Sequence, residues 1–364
     1  MNAMSGTEHA TWPTNPIAAV THPNPAPYYQ HLATLPLHFD NELRCWIAAS
    51  SRTVRAVLAC ESLRVRPPQE PVPANLVDTV SGDLFSRLAR MNDGDTHRKI
   101  RTMIDQVIAS ISSRQLERMC HETATNFLAT QKHTAVEWMF EYPTQVLATI
   151  LELEPHQLNQ TVHAGRLIAN GFAPGGANID IAELNAAVNE ILSTIHNSHL
   201  TALARGLLDN HHTADANLVG WFFQLFDSTA GLIGNSLITA SRSEPTAKPV
   251  SIVDATLRSS PPIQNTRRFA HSDTTIDDEQ IRNGETVLVV LASALPDSRS
   301  QCRDNPITAF GFGPHQCPAE HVAVTIANHA LKALIKLGHH AELTGYLPSL
   351  NARIPTFHER TNHL

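Results

Sequence analysis

Phe310-Gly311-Phe312-Gly313-Pro314-His315-Gln316-Cys317 is the stretch on which the reading of the fold turns. Two glycines precede a histidine, and a cysteine follows two residues later. A helical pattern then begins at once. Val322, Ala323, Ile326, Ala327, Ala330, Leu331, Leu334 and Ile335 recur at spacings of three and four. Cys317 is therefore expected on a glycine-rich loop just before a helix. Helix-start N–H groups and the positive end of the helix dipole stabilise a thiolate there. The glycines let backbone come close to something flat or bulky. Taken alone, Cys317 reads equally well as a free buried cysteine.

The stretch resembles the cysteine-ligand loop of the cytochrome P450 family, Phe-Gly-x-Gly-x-His-x-Cys-x-Gly. Phe310, Gly311, Gly313, His315 and Cys317 match, and Ala319 stands where the family has its last Gly. A lone thiolate is a known axial ligand of haem iron. The resemblance thus implies a mainly α fold of P450 type, a helical domain with a small β-sheet region, and a haem b cofactor (iron protoporphyrin IX) with Cys317 on the iron.

Composition agrees with a globular protein and narrows the alternatives. The 364 residues carry a net charge of −7 and no basic block, which gives no case for nucleic acid. The 21 histidines are scattered, with no His-x-x-x-His pair, and the cysteines form no Cys-x-x-Cys pair of a zinc site. Cys45, Cys60, Cys120, Cys302 and Cys317 make an odd set, which argues for a reducing compartment. The N-terminus is polar, and no run of eighteen apolar residues occurs. A cytoplasmic protein without a membrane anchor is expected. Residues 1–14 read as a disordered lead-in and 15–364 as one domain.

Along the chain, Leu37–Phe39 and Cys45–Ala49 flank a polar turn and predict a hairpin. Leu84, Leu88, Ile100, Ile104, Val107 and Ile108 keep helical spacing around a turn at Asn92-Asp93-Gly94-Asp95, with Thr96 as the expected cap of the second helix. His97 and Arg101 lie four apart and share a helix face on which they can converge on an anion. A His and an Arg at this spacing resemble the family's haem-propionate pair. Residues 115–205 read as mostly helical, with breaks at Pro143, Pro155 and the Gly/Pro cluster 172–176. An apolar helix is predicted over roughly Ala216 to Ala240 and resembles the family's central helix.

Two further motifs resemble the family's but depart from it. Ala230-Gly231 matches the start of the oxygen-activation motif, and the acid and alcohol positions then fall on Ile233 and Gly234. Asn235, or Asp227 and Thr229 one turn earlier, are the substitutes available. Arg258 matches the Arg of the Glu-x-x-Arg pair, whose Glu position is Ala255. A buried guanidinium left there without a carboxylate would cost several kcal/mol. Arg267 falls at a propionate-binding position, with Arg268 as its exposed neighbour.

The resemblance implies oxidation of a small, secondary-metabolite-like molecule, by hydroxylation or oxidative coupling, free or tethered to a carrier protein. Electrons would come from a separate ferredoxin and its reductase. Cys317 would be the iron ligand. His97, Arg101, Arg267 and His315 would hold the haem carboxylates, with Phe310 and Gly311 in the loop against the cofactor. Ala230, Gly231, Thr229 and Asn235 would face the oxygen side. A peroxide-driven enzyme and a non-catalytic haem- or ligand-binding protein are the alternatives.

Overall fold

The computed structural model describes residues 12–130, 134–173, 179–244, 246–295 and 309–361, with the backbone alone for 359–361. It is mainly helical. The central element is a helix of 31 residues, His211–Ser241, in which Ala214 to Ile238 is buried almost throughout. A helix apolar all round has to run through the interior, not along a surface. Helices Ala135–Ile150, Leu158–Phe172, Pro249–Ser259 and Glu320–Lys336 pack against it. Pro143 lies inside the helix Ala135–Ile150 and does not break it.

The principal sheet joins segments far apart in sequence. His38–Asp40 pairs antiparallel with Cys45–Ala48, the expected hairpin. Cys45–Ala48 pairs parallel with Thr286–Val290. Asn265–Ala270 runs antiparallel to Thr286–Val290, and Leu63–Arg64 closes the far edge. Trp46 donates its indole N–H to Glu285 at 2.7 Å, fixing the register from a side chain. Two small hairpins, Thr274–Ile276 with Glu279–Ile281 and His339–Tyr346 with Pro355–Thr361, complete the β structure.

Among the described residues no helix is long and apolar enough to cross a membrane. The Gly/Pro cluster expected at 172–176 lies largely outside the described residues.

Candidate active site

The Cys317 loop is built as the glycines require. Gly311 and Gly313 have φ of +89° and +74°, a region that L side chains rarely adopt. Between them and the cysteine, Gly313–His315 forms one 3₁₀ turn. The Cys317 N–H closes the loop on the Phe310 carbonyl at 2.9 Å. Ala319 precedes the first residue of Glu320–Lys336, so the sulfur sits at a helix start as expected. Burial pushes the Cys317 thiol pKa up, while the Ala319 N–H and the nearby Arg101 guanidinium pull it down.

Arg101 holds this loop by its backbone. Its guanidinium donates to the Pro314 carbonyl at 3.1 Å and the Gln316 carbonyl at 2.6 Å, and its Nε to Asp105 at 2.8 Å. His97 is buried, 4% exposed, and its ring stacks on that of His315 with centroids 4.1 Å apart. Burial first, then His315 and Arg101, lower the His97 pKa to about 4, so the ring is neutral at neutral pH. The helix carrying both residues starts at Gly94, after Asp93; Thr96 lies inside it and is not its cap. His97 and Arg101 share a face, as predicted, and both meet the cysteine loop.

Asp93 organises the next layer. It accepts from the Val65 N–H at 3.2 Å and lies 3.2 Å from His315 Nε2. Burial works against its charge, but His315, Val65 and Arg268 outweigh it and hold the carboxyl below its usual range. Arg66 and Arg268 both feel Asp93, and Arg268 also feels Arg90.

Here the structure reverses an expectation. Arg268 is 5% exposed, with its pKa lowered to about 10 chiefly by burial, while Arg267 is exposed. The pleat explains the reversal. Successive residues of Asn265–Ala270 point to opposite faces. Arg267 pairs with Leu288, on the side of Cys45 and Ile47. Arg268 pairs with Val287, on the side of Leu58 and Leu63 and toward Asp93.

The central helix is also re-registered. Ala230 is fully buried. A Cβ on Gly231 would lie 2.8 Å from the Arg353 carbonyl and 2.9 Å from Pro262. The Asn235 amide donates to the same Arg353 carbonyl at 3.0 Å. Gly231 and Asn235 therefore pack against the C-terminal segment. Thr229 is buried, and its hydroxyl has no hydrogen-bond partner among the described residues. The partly accessible positions of this buried helix are Trp221, Gln224, Leu225, Asp227 and Ser228, a stripe at spacings of three and four. Asp227 is deep enough that burial raises its carboxyl pKa. Ser228 donates to the Gln224 carbonyl at 2.7 Å. The stripe is the least buried face of the helix, and three of its five residues are polar. Three polar residues interrupting an apolar helix at 224, 227 and 228 were the signal in the sequence.

Arg258 needs no buried counter-charge. It is exposed and paired with Asp254, four residues back on the same surface. The buried guanidinium of this region belongs to Arg353. It is 2% exposed and donates to the carbonyls of Val20 at 2.8 Å and His22 at 2.9 Å, with its guanidinium carbon 3.6 Å from the centre of the Tyr346 ring. A surface cleft of about 530 Å³ is lined by Glu70, Pro71, Val77, Asp78 and Gly82 among others, and Arg66 donates to the Pro71 carbonyl at 3.1 Å.

The residues fit a haem. A loop-borne sulfur, partly accessible, stands at a helix start, and Arg66, Arg90 and Arg268 outweigh the one carboxylate, Asp93, in their midst. That surplus of positive charge suits the two carboxylates of the cofactor.

No family model matches the chain. Cytochrome P450 109 of Bacillus spizizenii is 26% identical over 159 residues, 38% of this chain and 39% of that protein. Cytochrome P450 119 of Sulfolobus acidocaldarius is 23% identical over 278 residues, 69% of this chain and 74% of that protein. The structure of P450 RauA, solved with a biosynthetic intermediate of aurachin RE, superposes with a TM-score of 0.76 at 20% identity, covering 96% of this chain and 98% of the other. Helices threaded by a buried central one, with a cysteine loop feeding the last of them, define the class of haem-thiolate folds. The chain has the cytochrome P450 fold, and in sequence it is similar to cytochromes P450 of bacterial type.

Proposed function

We propose that this chain is a haem-thiolate oxidoreductase acting on a small organic molecule of secondary-metabolite type. The observation that carries the reading is the Cys317 loop, with its two positive-φ glycines and its backbone clamped by Arg101. Haem b, held by Cys317, would supply activation of dioxygen or peroxide. Arg268, Arg66 and the His97–His315 stack bind and orient its carboxylates, and Arg101 keeps the sulfur in place.

Asp227 and Ser228 take the acid and alcohol roles first sought at Ile233 and Gly234. Burial favours the protonated form of Asp227, so it can hold a proton inside the protein. The Ser228 hydroxyl, one residue on, orients water on the same stripe. The ground for a peroxide-only enzyme was the absence of such a pair. The ground for a non-catalytic protein was Ala255 in place of the Glu of a buried pair, and Arg258, at the surface with Asp254, leaves no buried charge unpaired there. Hydroxylation or coupling fed by a separate ferredoxin and reductase is the favoured reaction class.

The test is the absorption spectrum of the purified protein, reduced under carbon monoxide. A red-shifted Soret band is expected and should vanish in Cys317→Ser. A protein that takes up no haem, or a spectrum unchanged in Cys317→Ser, overturns the reading.

A further inference from the structure

One face of the central helix is covered at both ends and less so between them. Residues 217, 220, 224, 227, 231 and 235 follow one another at spacings of three and four and share that face. Near its start, the Asn217 side chain accepts from the Ala89 N–H at 2.8 Å and donates to the Arg87 carbonyl at 3.0 Å. A Cβ on Gly220 would lie 2.6 Å from the Leu88 side chain. Further on, Gly231 and Asn235 meet Pro262 and the Arg353 carbonyl. Gln224, Asp227 and Ser228 lie between these two covers and are only partly buried, on a helix otherwise buried almost throughout.

The hydrogen bonds of these three side chains single out one of them. Ser228 has one hydroxyl proton, and it goes to the Gln224 carbonyl at 2.7 Å. The Asp227 carboxyl bonds to no other described residue. The Gln224 Nε2 donates to the Gly220 carbonyl at 2.9 Å, one turn back on the same helix. Gly220 leaves room for that amide, since a Cβ there would lie 3.1 Å from Nε2. The bond fixes the carboxamide and spends one of its two N–H groups. Its second N–H and its Oε1 bond to no described residue. The sequence agrees in an unexpected way. With Asp227 and Ser228 as the acid and alcohol of the oxygen-activation motif, its small Ala-Gly pair falls on Gln224 and Leu225. A fixed amide thus stands where the motif has a methyl group.

We propose that Gln224 is a ligand-positioning residue, whose free N–H donates a hydrogen bond to the small ligand, dioxygen in turnover, taken up on the side of Asp227 and Ser228. The assignment rests on the reading of the chain as a haem-thiolate oxidoreductase with that pair on the oxygen side. Trp221 and Leu225 flank the amide, and a hydrogen bond among apolar side chains is stronger than the same bond in water. Unlike the Asp227 carboxyl, the amide keeps its proton at every working pH.

The test uses the haem-loaded full chain and two probes, carbon monoxide on the reduced protein and cyanide on the oxidised one. Gln224→Met keeps the length of the side chain and removes its N–H groups. The infrared C–O stretch should lie lower in the wild type, where the N–H draws electron density onto the ligand, and rise in Gln224→Met. The dissociation constant for cyanide should rise about tenfold, the loss of about 1.4 kcal/mol that one hydrogen bond to an anion supplies. Haem content per chain and the position of the thiolate band should stay as in the wild type. Gln224→Ala serves if the Met variant does not fold. An unmoved stretch overturns the assignment, whatever cyanide does. A stretch that follows pH and moves in Asp227→Asn but not in Gln224→Met overturns it too, because the donor is then Asp227. A thiolate band with no shift in Gln224→Met sinks the role of Gln224 alone. Absence of that band from the wild type sinks the oxidoreductase reading, and this assignment with it.

Discussion

His97 and Asp227 are buried titratable groups with opposite consequences for pH. The folded pKa of His97, about 4, lies below the ordinary value of 6.5. The unfolded chain therefore binds the extra proton first, and stability is lost as pH falls from about 6.5 toward 4. His97→Phe keeps an aromatic ring on His315 and removes the titration. Urea unfolding of the haem-free protein should then show a flatter pH profile over that window, by on the order of 1–3 kcal/mol. An unchanged profile would mean that His97 is not buried neutral. Asp227 is raised, so its native state binds the extra proton, and stability falls as pH rises above the ordinary carboxylate range. Asp227→Asn should therefore raise Tm at neutral pH, with the gain fading below that range. Turnover should fall by about 10²-fold if Asp227 delivers protons. A variant equally active and no more stable would remove Asp227 from both accounts.

At this scale the sequence was legible where spacing alone carries the meaning. His97 and Arg101, four apart, share a helix face, and both reach the Cys317 loop. It was not legible where parity decides. Arg267 and Arg268 differ only in which side of the pleat they take, and the neighbouring strand, some twenty residues on, sets that. Asp93 reads as a turn residue, and its bond to His315 crosses 222 positions.

The elements were easier to read than their register. The central helix, the hairpin and the helix after Cys317 follow from apolar periodicity and turn chemistry. Which face of the central helix meets the cofactor was harder to read, because polar residues fall on several of its faces: Gln224, Asp227 and Ser228 are partly accessible, while Asn217, Thr229 and Asn235 are buried in packing. The packing gives a direct check. Gly231→Ala puts a Cβ 2.8 Å from the Arg353 carbonyl, a backbone atom that cannot swing away. The cost should be about 1–3 kcal/mol. Gly165→Ala, whose new atom would meet only ordinary contacts at 3.8 Å, should be neutral or stabilising by about 0.5–1 kcal/mol, as a helical Gly replaced by Ala. If both variants behave alike in thermal unfolding, the register proposed for the helix is wrong. Arg258→Ala should change stability by less than about 1 kcal/mol, as an exposed i,i+4 pair allows. A large loss would restore the idea of a buried pair in that helix.

Across the whole molecule, Arg353 ties the last hairpin to the first helix. Its guanidinium serves the carbonyls of Val20 and His22, near the end of Pro16–Thr21, and lies 3.3 Å from the Ser260 hydroxyl. No motif announces it, since the tie joins positions about 330 apart, and such a bond is visible only once the chain is folded. Arg353→Met should cost roughly 2–5 kcal/mol, because buried carbonyls lose their donor. Hydrogen exchange should rise first in residues 16–22. Uniform loosening of the whole protein, with no excess there, would count against a local tie.

The parallel pairing of Cys45–Ala48 with Thr286–Val290 has a consequence for synthesis. The two strands stand about 240 residues apart, so closing that loop costs entropy before any contact rewards it. On the ribosome, at about 5–20 residues per second, the early hairpin waits on the order of ten seconds or more for its partner. During that wait the outward row of backbone donors and acceptors on Cys45–Ala48, with Trp46 and Ile47 beside it, is a template for any other nascent chain. Yield of this protein in a cell should depend on how well that edge is sheltered during translation, and slower growth or added chaperone should help it more than any change at the active site.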